Sequence, residues 1–172
     1  GTSVHKVLDI AAGHGVFGVA VARRNPAAEV FAADWAPVLE VEKENAANAG
    51  ISGRYHTLPG SAFEVDFGTG YDLVLLTNFL HHFKPADVET LLKKIHTALT
   101  PGGRVLTLEF IPNEDRVSPP MQALFAFMML GSTPEGDAYT FAEHERMFAA
   151  AGFSRSDLVE LTPAQRAIVS YR

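Results

Sequence analysis

A short apolar run, Val7-Leu8, reaches an acid at Asp9 and passes through Ile10-Ala11-Ala12 into Gly13-His14-Gly15-Val16-Phe17-Gly18. Helix-forming sequence follows at once, and a second acid, Asp34, stands where a following strand would end. Glycines at such a turn allow positive φ and let backbone N–H groups approach a ligand that side chains would otherwise exclude. A buried strand, a glycine turn, a helix and a second strand closed by an acid together predict a doubly wound α/β fold with a nucleotide-type cofactor at the turn.

The rest of the chain repeats the alternation. Strands are predicted over 4–10, 29–33, 55–58, 71–77, 104–111, 156–161 and 167–171. Helices are predicted over 16–24, 37–49, 85–99 and 121–130, with a last one running from Thr140 to 151. Val88, Leu91, Leu92, Ile95 and Leu99 recur at helical spacing. Thr140 with Glu143 forms a capping box, and Gly152 closes the helix it opens. Thr100-Pro101-Gly102-Gly103 breaks the preceding helix, and Thr162-Pro163 turns the last two strands into a hairpin. The expected architecture is a seven-stranded, mostly parallel, Rossmann-like sheet ending in an antiparallel hairpin. Ser118-Pro119-Pro120 and 131–138 read as loops.

With 172 residues the chain is long enough for one domain with a sizeable core. Its 14 basic against 20 acidic residues, net charge −6, argue against nucleic acid. The chain has no cysteine, which excludes disulfides and thiolate metal sites. No apolar run approaches the roughly 20 residues of a membrane span, and no signal-peptide pattern opens the chain. A cytoplasmic location is the expectation. Gly1-Thr2-Ser3 lacks an initiator Met and the first strand follows at once, so the chain is expected to be a domain taken from something longer.

Gly13, Gly15 and Gly18 match the G-x-G-x-x-G dinucleotide fingerprint, with Asp34 near the position of a ribose-binding acid. An NAD-dependent oxidoreductase is therefore one reading, and a non-catalytic cofactor-binding domain is another. Asp9 argues against nicotinamide, because an acid four positions before the first glycine would be buried there without purpose. It suits S-adenosylmethionine, whose amino-acid end carries an ammonium group.

The segment Asp9-Ile10-Ala11-Ala12-Gly13-His14-Gly15 resembles motif I of class I S-adenosylmethionine-dependent methyltransferases, with Ala11 in place of the first glycine. Further along, Ala33-Asp34-Trp35-Ala36-Pro37-Val38-Leu39-Glu40 resembles the ribose segment of the plant-type and bacterial small-molecule O-methyltransferases. Pro59-Gly60-Ser61-Ala62-Phe63 resembles their adenine loop, with Ser61 where Asp is usual. Asn78-Phe79-Leu80-His81-His82-Phe83 resembles their catalytic-histidine segment, and His82 replaces the usual acid. Pro101-Gly102-Gly103-Arg104 and Glu109-Phe110-Ile111-Pro112 resemble the turn and strand that follow. The resemblance runs through the whole chain and implies that residues 1–172 form one methyltransferase domain. The family's helical N-terminal dimerisation domain is not in it, so the intact protein is expected to be a homodimer.

The resemblance implies cofactor contacts from Asp9, Ala12, Gly13, Gly15, Asp34, Trp35, Ser61, Ala62, Phe63 and Asn78. It implies methyl transfer to a hydroxyl of an aromatic or polyketide-like small molecule. A phenol is a poor nucleophile at neutral pH, and a histidine titrates in the range that helps it. His81 is the expected general base, with Glu109 orienting it. A second flanking acid would fall near Ala138, where it is missing, although Asp137 is adjacent. No metal is expected. Met121, Phe125, Met128 and Met129 fall where this family covers its acceptor, and Met and Phe adapt to flat apolar ligands. Gly18 reads as a helix–sheet packing residue, and His5, His14, His56, His96 and His144 as structural or surface residues.

Overall fold

The structure, a computed structural model, describes residues 4–162 and 165–172. The strands are β1 (Lys6–Ile10), β2 (Glu29–Asp34), β3 (Tyr55–Pro59), β4 (Tyr71–Thr77), β5 (Leu99–Glu109), β6 (Arg155–Thr162) and β7 (Gln165–Tyr171). The helices are α1 (Val16–Arg24), α2 (Ala36–Asn48), α3 (Pro85–Ala98), α4 (Pro120–Ser132) and α5 (Phe141–Ala150). The strands form one seven-stranded mixed sheet in the order β3-β2-β1-β4-β5-β7-β6. β1 and β3 pair parallel to β2, and β6 pairs antiparallel to β7. This is the Rossmann-like architecture expected from the alternation of elements. Pro163, half of the expected hairpin turn, lies outside the described residues, as do Gly1, Thr2 and Ser3.

The chain divides into two compact units: residues 1–75 with 97–104, and residues 76–96 with 105–172. In the first, β1 is buried along almost its whole length because a central parallel strand is covered on both faces. Val7, Leu8, Ile10, Val30, Ala32, Leu39 and Leu75 are fully buried. Arg54 ties the unit's loops together: its guanidinium donates to the carbonyls of Ala22 in α1 and of Asn25 and Ala28 in the turn between α1 and β2. In the second unit, Val88, Leu91, Leu92 and Ile95 form the buried stripe of α3, as their spacing predicts. Leu80, Val105, Ile111, Phe148 and Ile168 are buried in the same unit.

Two stretches differ most from the sequence reading, the other element ends moving by at most two residues. The chain becomes extended at Leu99 rather than Arg104, so Pro101-Gly102-Gly103 lies inside the strand run. Gly102 takes φ +77, and a Cβ on Gly103 would lie 2.9 Å from the carbonyl of Thr100 and 3.0 Å from that of Tyr71. Only glycines permit so tight a turn against β4. Pro120, Gly131 and Ser132, read as loop, are helical in α4. Proline fits a first helical turn, where its missing N–H has no partner to lose. Thr140 and Glu143 form the expected capping box at α5, each side chain paired with the other's backbone N–H.

Candidate functional site

The first unit contains the glycine turn. Ala11, Gly13 and Gly15 all take positive φ, at 53°, 61° and 71°. Ala11 donates its N–H to the Ala33 carbonyl, and the Ala12 carbonyl accepts the N–H of Gly15, so the turn closes on itself and on β2. Asp34 ends β2. Its Oδ2 accepts the Gly13 N–H at 3.0 Å and its Oδ1 the Trp35 N–H at 2.7 Å. The same carboxylate therefore closes the turn and opens α2. A Cβ on Gly13 would meet nothing within 4 Å, so the turn faces open space there.

Asp9 lies beneath this turn, fully buried. Its Oδ2 accepts the Gly18 N–H at 2.9 Å, and its Oδ1 has no hydrogen-bond partner among the described residues. Burial pushes its carboxyl up to about 7, opposed by the Gly18 hydrogen bond and reinforced by Glu42 and Asp34. Gly18 packs as expected: a Cβ there would lie 2.8 Å from Asp9 Oδ2 and 2.9 Å from Val30 Cγ1.

Trp35 is 62% exposed at the start of α2, and so is not a core residue. Ser61 begins a single turn after β3. Its Oγ accepts the Phe63 N–H at 3.3 Å, and its carbonyl accepts the N–H groups of Glu64 and Val65. Ala62 and Phe63 are half-buried in that turn.

The second unit contains Asn78 and the histidines. Asn78 leaves β4 with φ +52 and donates its N–H to the Leu108 carbonyl at 2.8 Å. His81 and His82 follow in one turn of 3-10 helix. Nδ1 of His81 lies 2.7 Å from Oε2 of Glu109, with both side chains buried. Glu109 Oε1 accepts the N–H groups of Phe79 and Leu80 at 2.9 and 2.8 Å. One carboxylate thus fixes both the ring and the backbone that carries it, and a carboxylate on Nδ1 leaves Nε2 as the basic nitrogen.

His82 is exposed, with its ring 4.3 Å from that of His81. Partial burial and the neighbouring His81 push it below the ordinary histidine value. Phe125, on α4, stands edge-on to His81 at 4.8 Å and stacks on Phe110 at 3.9 Å. Met129 is buried, whereas Met121, Phe127 and Met128 are exposed. Together with Leu130, Glu135 and Tyr139, Phe127 lines a cavity of about 710 Å³.

Asp137 is not a second flanking acid through its side chain, which is paired with Arg116 at 3.0 Å. Its backbone N–H instead donates to the His81 carbonyl at 3.0 Å. A Cβ on neighbouring Gly136 would clash with that same carbonyl. The sequence reading named Asp137 only as the neighbour of a missing acid and did not single out Gly136, and it missed Glu42 and Tyr55 in the first unit. Glu42 is fully buried, and its Oε2 accepts the Tyr55 hydroxyl at 3.2 Å. The signal for Glu42 was available: Leu39, Glu42 and Ala46 make up the buried face of α2, and an acid on such a face requires a purpose. Among the described residues, no group of three or more His, Cys, Asp or Glu side chains is placed to hold a metal, and no helix is long and apolar enough to cross a membrane.

Residues 2–154 match the O-methyltransferase domain family. The chain belongs to that family. This decides against the nicotinamide reading of the glycine turn. The L-tyrosine C(3)-methyltransferase of Streptomyces lavendulae is 32% identical over 155 residues, which is 90% of this chain and 42% of that protein. A candidate O-methyltransferase from Nostoc punctiforme PCC 73102, known from its crystal structure, is 59% identical with a TM-score of 0.97, covering 99% of this chain and 52% of its own. The structure of PigF with SAH is 27% identical with a TM-score of 0.88, covering 98% and 51%. The chain spans about half the length of the relatives it matches.

Proposed function

We propose that this chain is the cofactor-binding and catalytic part of an S-adenosylmethionine-dependent O-methyltransferase. Its substrate in this reading is a hydroxyl on an aromatic or polyketide-like small molecule, and His81 is its general base. The observation that carries the proposal is the buried His81–Glu109 pair in a chain of the O-methyltransferase family.

Features of the first unit fit the cofactor. Gly13 faces open space, Asp34 keeps acceptor capacity for ribose hydroxyls beyond its two backbone donors, and Asp9 Oδ1 has no hydrogen-bond partner among the described residues. In this reading Asp9, Ala12, Gly13 and Gly15 hold the amino-acid and ribose end, and Asp34 with Trp35 holds the ribose. Ser61, Ala62 and Phe63 border the adenine, and Asn78 adds a contact from the end of β4. When bound, the cofactor supplies a methyl group on a sulfonium, with a neutral thioether as leaving group. Nε2 of His81 removes the hydroxyl proton, and Glu109 stabilises the imidazolium that results.

A second reading shares this base. The relative from Streptomyces lavendulae is named an L-tyrosine C(3)-methyltransferase, for methylation at carbon rather than oxygen. A phenol stripped of its proton is activated both at oxygen and at the ortho carbon, so His81 would serve either outcome.

The full gene product, incubated with S-adenosylmethionine and a panel of phenols, tests the proposal by NMR assignment of the methyl position. A methoxy product that vanishes in His81→Ala is the expected result. Transfer at the parent rate in His81→Ala would remove His81 from the mechanism. The resemblance further implies a homodimer built through an N-terminal domain, which analytical ultracentrifugation of the full gene product tests.

A further inference from the structure

The acids under the glycine turn are more numerous than the turn itself requires. Asp9 from β1 and Glu42 from α2 are both fully buried. Each is half satisfied: Asp9 Oδ2 has the Gly18 N–H and Glu42 Oε2 has the Tyr55 hydroxyl. The other oxygen of each, Asp9 Oδ1 and Glu42 Oε1, is buried with no hydrogen-bond partner among the described residues. The charges acting on the two groups are like charges. Glu42 and Asp34 act on Asp9, Asp34 acts on Glu42, and Tyr55 from β3 faces Glu42 through its hydroxyl. Two buried, half-paired carboxylates that repel each other are costly unless a proton or a cation neutralises them. Burial accordingly raises both carboxyls to about 7.

The turn stands directly on this pair. A Cβ on Gly15 would lie 2.7 Å from the Tyr55 hydroxyl and 3.5 Å from Glu42 Cβ and Cγ. A Cβ on Gly18 would lie 2.8 Å from Asp9 Oδ2. The turn therefore has no slack between itself and the two acids, and their charge acts on whatever the turn binds.

We propose that Asp9 and Glu42 form a proton-linked pair beneath the glycine turn, which holds a proton in the free protein and releases it to solvent when a ligand bearing an ammonium group binds to the turn. Glu42 is then a positioning residue of the cofactor site, acting through Gly15 and Tyr55. The proposal rests on the S-adenosylmethionine reading. No bond other than the carboxyl O–H breaks, and the proton goes to buffer while the ligand's ammonium replaces its charge.

Titration calorimetry of this chain with S-adenosylhomocysteine tests the proposal, using buffers of low and high ionisation enthalpy between pH 6 and 7.5. 5′-Methylthioadenosine, which lacks the ammonium, is the control ligand. The expected result is net proton release near pH 6.5 with S-adenosylhomocysteine and none with 5′-methylthioadenosine. The S-adenosylhomocysteine Kd should tighten about eightfold from pH 6 to 7.5, as for displacement of one proton from a group titrating near 7. Glu42→Gln, which removes a charge that raises Asp9, should move that dependence to lower pH and so weaken it between pH 6 and 7.5. Tyr55→Phe, which removes the hydroxyl that favours the charged form of Glu42, should move it to higher pH.

Tight binding with no proton release, or an unchanged pH dependence in a folded Glu42→Gln, would overturn the proton linkage and leave the cofactor reading standing. Absence of S-adenosylhomocysteine binding to the parent chain would overturn the cofactor reading and this inference together.

Discussion

Glu109 Oε2 lies 2.7 Å from Nδ1 of His81, while its Oε1 accepts the N–H groups of Phe79 and Leu80. The carboxylate at the end of β5 therefore sets both the orientation of the ring and the path of the chain leaving β4. Glu109→Gln should lower methyl transfer by about 10- to 100-fold, as loss of a carboxylate partner does for an oriented histidine. It should leave S-adenosylhomocysteine affinity within about twofold. Steady-state kinetics on the full gene product and calorimetry check the two halves, and a parallel loss of both would assign Glu109 to structure alone.

His81→Ala should reduce methyl transfer by about 10²- to 10⁴-fold, the usual size of a general-base contribution. It should leave cofactor binding intact, because His81 is not among the residues expected to hold the cofactor. Rate and Kd measured on the same preparation separate the effects.

Asp34→Ala removes the acceptor of the Gly13 and Trp35 N–H groups as well as the expected ribose acceptor. Lost hydrogen bonds to a charged group are worth about 1.5–3 kcal/mol each, so S-adenosylhomocysteine affinity should fall by at least 100-fold. Asp34→Asn, which keeps one carbonyl oxygen, should lose less. Equal affinity of Asp34→Ala and the parent would exclude Asp34 from the site.

Ala11 holds φ +53, a region in which an L side chain is strained. Ala11→Gly should stabilise the chain by roughly 0.5–1 kcal/mol, less the extra entropy of the unfolded glycine. Urea unfolding checks this, and a destabilised variant would mean that the turn relaxes around alanine.

Glu42 is raised from 4.5 to about 7 in the folded protein. A carboxyl raised on folding binds its proton more tightly in the native state. Its contribution to stability is therefore complete below about pH 4.5 and is lost as pH rises through 7. Glu42→Gln, which carries no charge at any pH, should gain on the order of 1–3 kcal/mol relative to the parent between pH 5 and pH 8. Denaturant unfolding at the two pH values reads the difference directly, and parallel stability curves would refute it.

The strand–helix alternation, the glycine turn, Asp34 at the end of β2 and the α5 capping box were all legible because each is written in local spacing. Apolar period, cap residues and turn residues act over a few positions. The extended start of β5 at Leu99 was not legible, because Pro-Gly-Gly reads as a break until the Tyr71 carbonyl of β4 is known to press against Gly103. Asp137 illustrates the same limit within the candidate site. The acid expected near Ala138 is missing, and adjacent Asp137 does not replace it: Arg116, 21 positions away, takes its side chain, and its backbone N–H meets the His81 carbonyl.

By itself the sequence determined the order of elements, the turn that can hold a cofactor, and the identity of the histidine and the acid expected to act together. Only the tertiary structure decided that Glu109 reaches His81 across 28 residues and that Glu42 and Tyr55 lie under Gly15. Those contacts depend on which strands lie side by side and which helix face turns inward, and no local pattern carries that information.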